Sequence, residues 1–211
     1  MCDLLVVSPE LWSPETGTAT GSVGVAIKNG RILCAGSLAS LPPAVVTDAL
    51  RRIELGGSAH RTLLLPGLID LHCHWDPTGG DLSRYGLDPD TTYLPRCVTT
   101  VLSQGDAGAD NWPEYSAAVA GCKCRCLMAM NLLRAGESPA YFETHADGED
   151  LVDFDVAACA NAVEAAGELC WGVDLNVGHN HGSVAEMAEA TRRAVAVAER
   201  TSKPILFGMR R

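Results

Sequence analysis

The chain has 211 residues with 16 basic and 26 acidic side chains, a formal net charge of −10. A surface that acidic argues against nucleic acid and against anionic membrane as partners. Hydrophobic residues make up 47% and charged residues 20%, ordinary globular composition that excludes disorder and leaves room for a sizeable core.

The first sixty residues read as short β-strands. Residues 3–7 are apolar after Asp3, and residues 21–27 alternate, with Val23, Val25 and Ile27 on one side. Lys28-Asn29-Gly30-Arg31 supplies an Asn-Gly hairpin turn, and residues 32–35 form the return strand. Residues 41–59 look irregular. This region, 1–60, is expected to be a small β-sandwich part, with residues 61–211 as a second domain.

From Leu63 the rhythm becomes strands alternating with helices. Strands are predicted at 63–74, 98–104, 125–133, 171–177 and 204–209, and helices at 111–120, 155–166 and 184–201. The connection 75–97 shows no helical period. The last helix is the best marked: Ser183 with Glu186 three residues on is a capping box, and Val184, Met187, Ala188, Thr191, Val195 and Ala198 recur at helical spacing. Pro113 in the first turn after Asp110-Asn111 marks another helix start.

Such alternation means parallel strands joined by right-handed crossovers. Five strands suit an open doubly wound sheet, and equally the first five-eighths of a (β/α)8 barrel of about 250 residues. Composition does not separate the two; site chemistry does.

The most informative stretch is Pro66-Gly67-Leu68-Ile69-Asp70-Leu71-His72-Cys73-His74. Side chains two apart on a strand share a face, so Asp70, His72 and His74 point one way and Leu71 and Cys73 the other, into the packing against helices. Two imidazoles so spaced can converge on one divalent ion at about 2.0–2.1 Å, with Asp70 placed to orient a neighbour. Both histidines fall at the carboxyl end of the strand, where parallel α/β enzymes keep their sites. The plainer alternative is two satisfied histidines in a core.

The string from Pro66 to His74 resembles the first barrel strand of the amidohydrolase superfamily, metal-dependent hydrolases built on a barrel flanked by a small β-sandwich. Val25 to Ile32 is similar to the sandwich hairpin that precedes it, Val98-Thr99-Thr100-Val101 to the second strand, and Gly105 to Asp110 to the loop after it, in the manner of the deacetylase, D-aminoacylase and dihydroorotase-like branch. The resemblance implies an α/β fold, a partial barrel of about five strands behind a small sandwich segment. It implies His72 and His74 as ligands of a divalent metal, zinc first among the candidates. Such an ion lowers the pKa of bound water for attack on an amide or cyclic-amide carbonyl. It also implies a general-base aspartate at the eighth strand, expected beyond Arg211.

The pattern departs from the family in two places. The fourth barrel strand, Trp171 to Val177, lacks the lysine that bridges two metals in many members, and the fifth, Pro204 to Met209, lacks a histidine. One metal therefore fits better than two, with Asp174 as a substitute oxygen ligand. Asn176 on the same face, Asp106 after the second strand, and the loop histidines His179 and His181 are candidate substrate contacts. Gln104, Asp110, Asp76 and Asp81 also fall near the expected barrel mouth, and His145 reads as a surface-loop residue. Cys122, Cys124 and Cys126 invite a metal reading, but buried thiols entering a strand explain them more simply, since zinc knuckles lie in turns.

The expected partner is a small-molecule amide, with a completing C-terminal half or a second copy of the chain to cover the apolar edge at Ile205-Leu206-Phe207. The alternative is an inactive amidohydrolase-like binding or regulatory module, which the missing lysine and histidine favour. Met1-Cys2-Asp3 has no basic segment ahead of its apolar run, and no run approaches the ~20 residues of a membrane span. Nine cysteines without a disulfide-framework spacing point to free thiols in the cytoplasm.

Overall fold

In the computed structural model, residues 1–56, 61–144, 151–178 and 182–210 are described. The chain divides into two units, Met1–Pro66 and Gly67–Arg211. The expected boundary at residue 60 and the histidines His145, His179 and His181 lie outside the described residues.

The first unit is one four-stranded sheet in the order β3-β2-β1-β4, built from β1 (Leu4–Ser13), β2 (Gly17–Lys28), β3 (Arg31–Ser37) and β4 (Arg51–Glu54). Strands β1 to β3 form an antiparallel meander, and β4 returns parallel to β1, with Leu4 opposite Arg51 and Val6 opposite Ile53. The Asn29-Gly30 turn takes the left-handed backbone that its residues favour, φ 51° and 72°. Strand β1 runs well past residue 7 because a register shift between Ser8 and Glu10 absorbs Pro9 and lets pairing resume to Ser13. The stretch 41–59 contains a short helix, α1 (Pro43–Thr47), which buries Val45 against Cys2, Leu5, Val7, Ala26 and Leu41. The other sheet face carries Val6, Val25, Ile27 and Ile32, which line a groove of about 510 Å³.

The second unit is a sheet of five parallel strands curled into a half-barrel, in sequence order β5 (Leu68–Cys73), β6 (Val98–Gln104), β7 (Arg125–Asn131), β8 (Cys170–Gly178) and β9 (Ile205–Arg210). The main intervening helices are α2 (Pro89–Thr92), α3 (Trp112–Val119), α4 (Pro139–Thr144), α5 (Val156–Ala166) and α6 (Val184–Thr201). One sheet face supplies Val101, Cys126, Met128, Met130, Val173 and Leu175 to a core completed by Cys159, Ala160 and Val163 of α5 and Ala190, Ala194 and Val197 of α6. Truncating a fully buried member such as Met128 is expected to cost about 2–5 kcal/mol. The capping box forms as read: Ser183 Oγ accepts from Glu186 N at 3.3 Å, and Glu186 Oε2 accepts from Ser183 N at 2.7 Å.

Helices cover the middle of this sheet better than its edges. Leu71 was expected to pack against helices, yet it is 64% exposed, and Ile69 on the same edge strand β5 is 61% exposed. Phe207 and Met209 on the opposite edge strand, β9, are exposed too. A register shift between Asp70, opposite Val101, and Cys73, opposite Ser103, interrupts the alternation expected across these residues, and an edge strand lacks a neighbour to cover it. No helix among the described residues is long and apolar enough to cross a membrane.

Candidate metal centre

Strand β5 begins where Gly67 lets the chain pass close to β6, since a Cβ there would run into the Thr99 side chain. Asp70 Oδ1 accepts from its own strand's His72 N at 3.0 Å, so this carboxylate shapes the backbone under the first histidine rather than orienting a ring. Strand β5 ends at Cys73, which is buried in the helix-side core, and burial foremost pushes its thiol up to about 12. Trp75 follows, fully buried, with its indole N–H on Leu127 O at 2.9 Å and its ring edge-on to Tyr115 at 5.3 Å. These anchors fix the carboxyl end of the strand.

His72 is exposed and His74 half-buried, with ring centroids 6.0 Å apart and planes at 66°. Two imidazoles sharing one tetrahedral ion at about 2.0–2.1 Å from each nitrogen have centroids roughly 5 Å apart, so the pair would have to close by about 1 Å to share one. The His74 Nδ1 lies 2.9 Å from Asp106 Oδ1. That carboxylate is completely buried and also takes the Ser83 hydroxyl at 2.6 Å and the Ser103 hydroxyl. Asp106, expected at the barrel mouth as a substrate contact, stands behind His74.

Two loops build this arrangement. After β5, Asp76 is a buried hub: Oδ1 accepts from Thr78 N at 2.8 Å and from the Thr78 hydroxyl, while Oδ2 accepts from Gly80, Leu82 and Ser83 N at 3.1, 2.8 and 3.0 Å. Burial opposes the charge, but these hydrogen bonds outweigh it and hold the Asp76 carboxyl below its ordinary value. The strapped loop carries Ser83 to Asp106 and lays the Tyr85 ring 5.6 Å from the His74 ring, with the Arg84 guanidinium 4.8 Å over Tyr85. After β6, Gly105 turns at φ 80° and Asn131 Nδ2 grips its carbonyl at 3.0 Å. The carbonyls of Gly105 and Asp106 share Glu137 N at 3.1 Å, and Asn131 N donates to Ala107 O at 2.8 Å.

Asp174 and Asn176 share the opposite face of β8 from Val173 and Leu175. Asp174 is buried, accepts from Asn176 Nδ2 at 3.1 Å, and packs against Gly105, where a Cβ would collide with its Oδ2. The β6–β7 loop therefore touches Asp174 through Gly105 and His74 through Asp106. Among the described residues no three His, Cys, Asp or Glu side chains already converge as an ion site, so His72 and His74 stand as a pair. Of the other mouth candidates, Gln104 Nε2 donates to Leu71 O at 3.0 Å and Asp110 pairs with Arg134 at 2.7 Å rather than capping α3. Asp81 is exposed. Cys124 and Cys126 are buried free thiols and Cys122 is half-buried.

Ser83, Ser103 and Tyr85 escaped the sequence reading. A signal for the first was present: Asp76-Pro77-Thr78-Gly79-Gly80 is an Asx-turn composition, which predicts a loop folded back on its carboxylate.

Comparison with solved structures places this architecture. An adenine deaminase superposes with TM-score 0.78 at 19% identity, over 100% of this chain and 51% of that one. A dihydroorotase superposes with TM-score 0.71 at 18% identity, over 97% and 50%. The chain shares its fold with these two enzymes. A molinate hydrolase shares the fold more distantly, with TM-score 0.54 at 16% identity over 97% and 53%. The chain thus spans about half the length of these structures. No protein-family model and no curated protein sequence matches it.

Proposed function

We propose that the chain takes part in metal-dependent hydrolysis of a non-peptide C–N bond, in an amide or a cyclic amide. The observation that carries this reading is the paired imidazoles of His72 and His74 at the carboxyl end of β5, 6.0 Å apart and backed by a buried carboxylate. The kinds of enzyme sharing the fold support the reaction class: the named neighbours are a deaminase, a dihydroorotase and a hydrolase.

In this proposal His72 and His74 hold one divalent ion, zinc by preference, because imidazole nitrogen is a borderline donor that suits it. When bound, such an ion polarises a carbonyl and lowers the pKa of water. The chain's own residues position the rings, and Tyr85 shields one side of His74 from solvent. Asp174 is proposed as a further oxygen donor, reached by movement of the Gly105 loop, and Asn176, His179 and His181 as substrate contacts. The general-base aspartate is expected outside residues 1–211, in a completing C-terminal half. A cytoplasmic setting belongs to the same proposal and is supported by nine free cysteines.

A second reading, an inactive binding or regulatory module, is favoured by one observation: β8 and β9 contribute neither lysine nor histidine to the sheet interior. Metal content with hydrolysis separates the two. Protein produced with its full coding sequence and loaded with zinc or manganese should hold about one ion per chain. It should hydrolyse members of a panel of N-acyl amino acids and cyclic amides, and both properties should vanish in His72→Ala/His74→Ala. An ion bound with no turnover across the panel favours the module, and no ion bound overturns the hydrolase reading and leaves the module.

A further inference from the structure

The buried Asp106 is not used by the proposed chemistry at the ion, yet the structure spends three hydrogen bonds on it. Its carboxylate is wholly removed from water and receives Ser83 Oγ–H, Ser103 Oγ–H and a contact from His74 Nδ1. A carboxylate in this setting accepts, so the proton between Asp106 and His74 belongs to Nδ1. That fixes the tautomer: Nε2 is left with a lone pair, on the side of the ring away from Asp106. We infer that Asp106 is the positioning residue of the centre, holding His74 in its Nδ1–H tautomer with Nε2 presented for a metal ion beside His72. The inference rests on the proposed role of these histidines.

The geometry favours orientation over a substrate role. Asp106 has no exposed surface from which to touch a substrate, whereas the His74 side chain it contacts is 20% exposed. The network around it is built from three segments of the chain. Ser83 arrives on the loop strapped by Asp76. Ser103 comes from β6 itself. The main chain at Asp106 is clamped by Glu137 N on its carbonyl at 3.1 Å, and Gly136, at φ 58°, packs so closely on that carbonyl that a Cβ would collide with it. A ring held by such a preformed acceptor loses little freedom when an ion arrives, and a carboxylate on the far nitrogen raises its basicity. Removing such a partner typically weakens metal affinity 10–100-fold.

Two measurements test this, and they fail in different ways. Nitrogen-detected NMR of imidazole in the metal-free protein at neutral pH should show His74 with its proton on Nδ1. An Nε2–H tautomer in the wild-type protein overturns the inference whatever the fate of the hydrolase reading. Zinc affinity, measured by competition with a chromogenic chelator, should fall 10–100-fold in Asp106→Ala and by a smaller factor in Ser83→Ala, which keeps the carboxylate and disturbs only one of its donors. Ser83→Ala also serves if Asp106→Ala does not fold. Wild-type affinity in both variants, beside a His72→Ala/His74→Ala control that loses zinc, leaves the metal centre standing and removes Asp106 from it. A wild-type chain that takes up no zinc removes the centre itself.

Discussion

Asp76→Ala is the substitution whose effect can be worked most directly from the structure. It strips the acceptor from five donors: Thr78 N, the Thr78 hydroxyl, and Gly80, Leu82 and Ser83 N. They do not count equally. Thr78 and Gly80 are exposed and find water once the carboxylate is gone, whereas Leu82 is half-buried and Ser83 is buried. A buried donor left unpaired costs about 1–3 kcal/mol, so the two sheltered amides set a loss of about 3 kcal/mol. That is a large share of the 5–15 kcal/mol typical of a domain. Urea unfolding at pH 7 reads it as a lower midpoint, and amide exchange at Leu82 and Ser83 localises it. A loss below about 0.5 kcal/mol, with protection at these amides unchanged, would refute the reasoning that this carboxylate holds the loop.

The same group predicts a pH dependence. Hydrogen bonds hold the folded Asp76 carboxyl below its ordinary value, so its contribution is present above about pH 4 and lost as pH falls through the lowered folded value. The stability difference between wild type and Asp76→Ala should therefore shrink on acidification below pH 4, as acid-titrated urea curves would show; a constant difference contradicts the assignment. Gly105→Ala places a methyl group against Asp174 Oδ2 at a residue with φ 80°, and should cost about 2 kcal/mol or more by thermal or urea unfolding. Ser183→Ala removes the capping box of α6 and should cost about 1 kcal/mol while leaving zinc affinity unchanged. A native thiol titration should modify exposed Cys97 at once and Cys73 and Cys159 only on unfolding. Burial foremost pushes the last two thiols up to about 12, where almost no thiolate is available to react.

The second unit was legible in the sequence because its strands are bounded by strong punctuation. Ser183 and Glu186 declare the start of α6, and the alternation of apolar strands with helical periods gives five parallel strands in order. The first unit was read less fully. Pro9 and Pro14 break the alternation after Val7, so the long β1–β2 hairpin was shortened, and Arg51-Arg52-Ile53-Glu54 is too charged to signal a strand. It pairs through its backbone along β1, which needs no apolar side chains. At the candidate site, the two-residue spacing of His72 and His74 was legible, but the register shift between Asp70 and Cys73 that interrupts the strand period beneath them was not. The partners of His74 were not legible either, because Asp106 and Ser83 are 32 and 9 residues away from it in sequence and meet only through the loops that Gly105 and Asp76 shape. Spacing within a strand is local information; a carboxylate brought behind a ring is not.

The most direct test of the whole account is a calorimetric titration of zinc into the metal-stripped protein, run beside His72→Ala/His74→Ala. One tight site per chain in the wild type, absent from the double variant, is the expected result. Heats that are equal in the two proteins, or uptake carried by the thiols of Cys122, Cys124 and Cys126 instead, would contradict it.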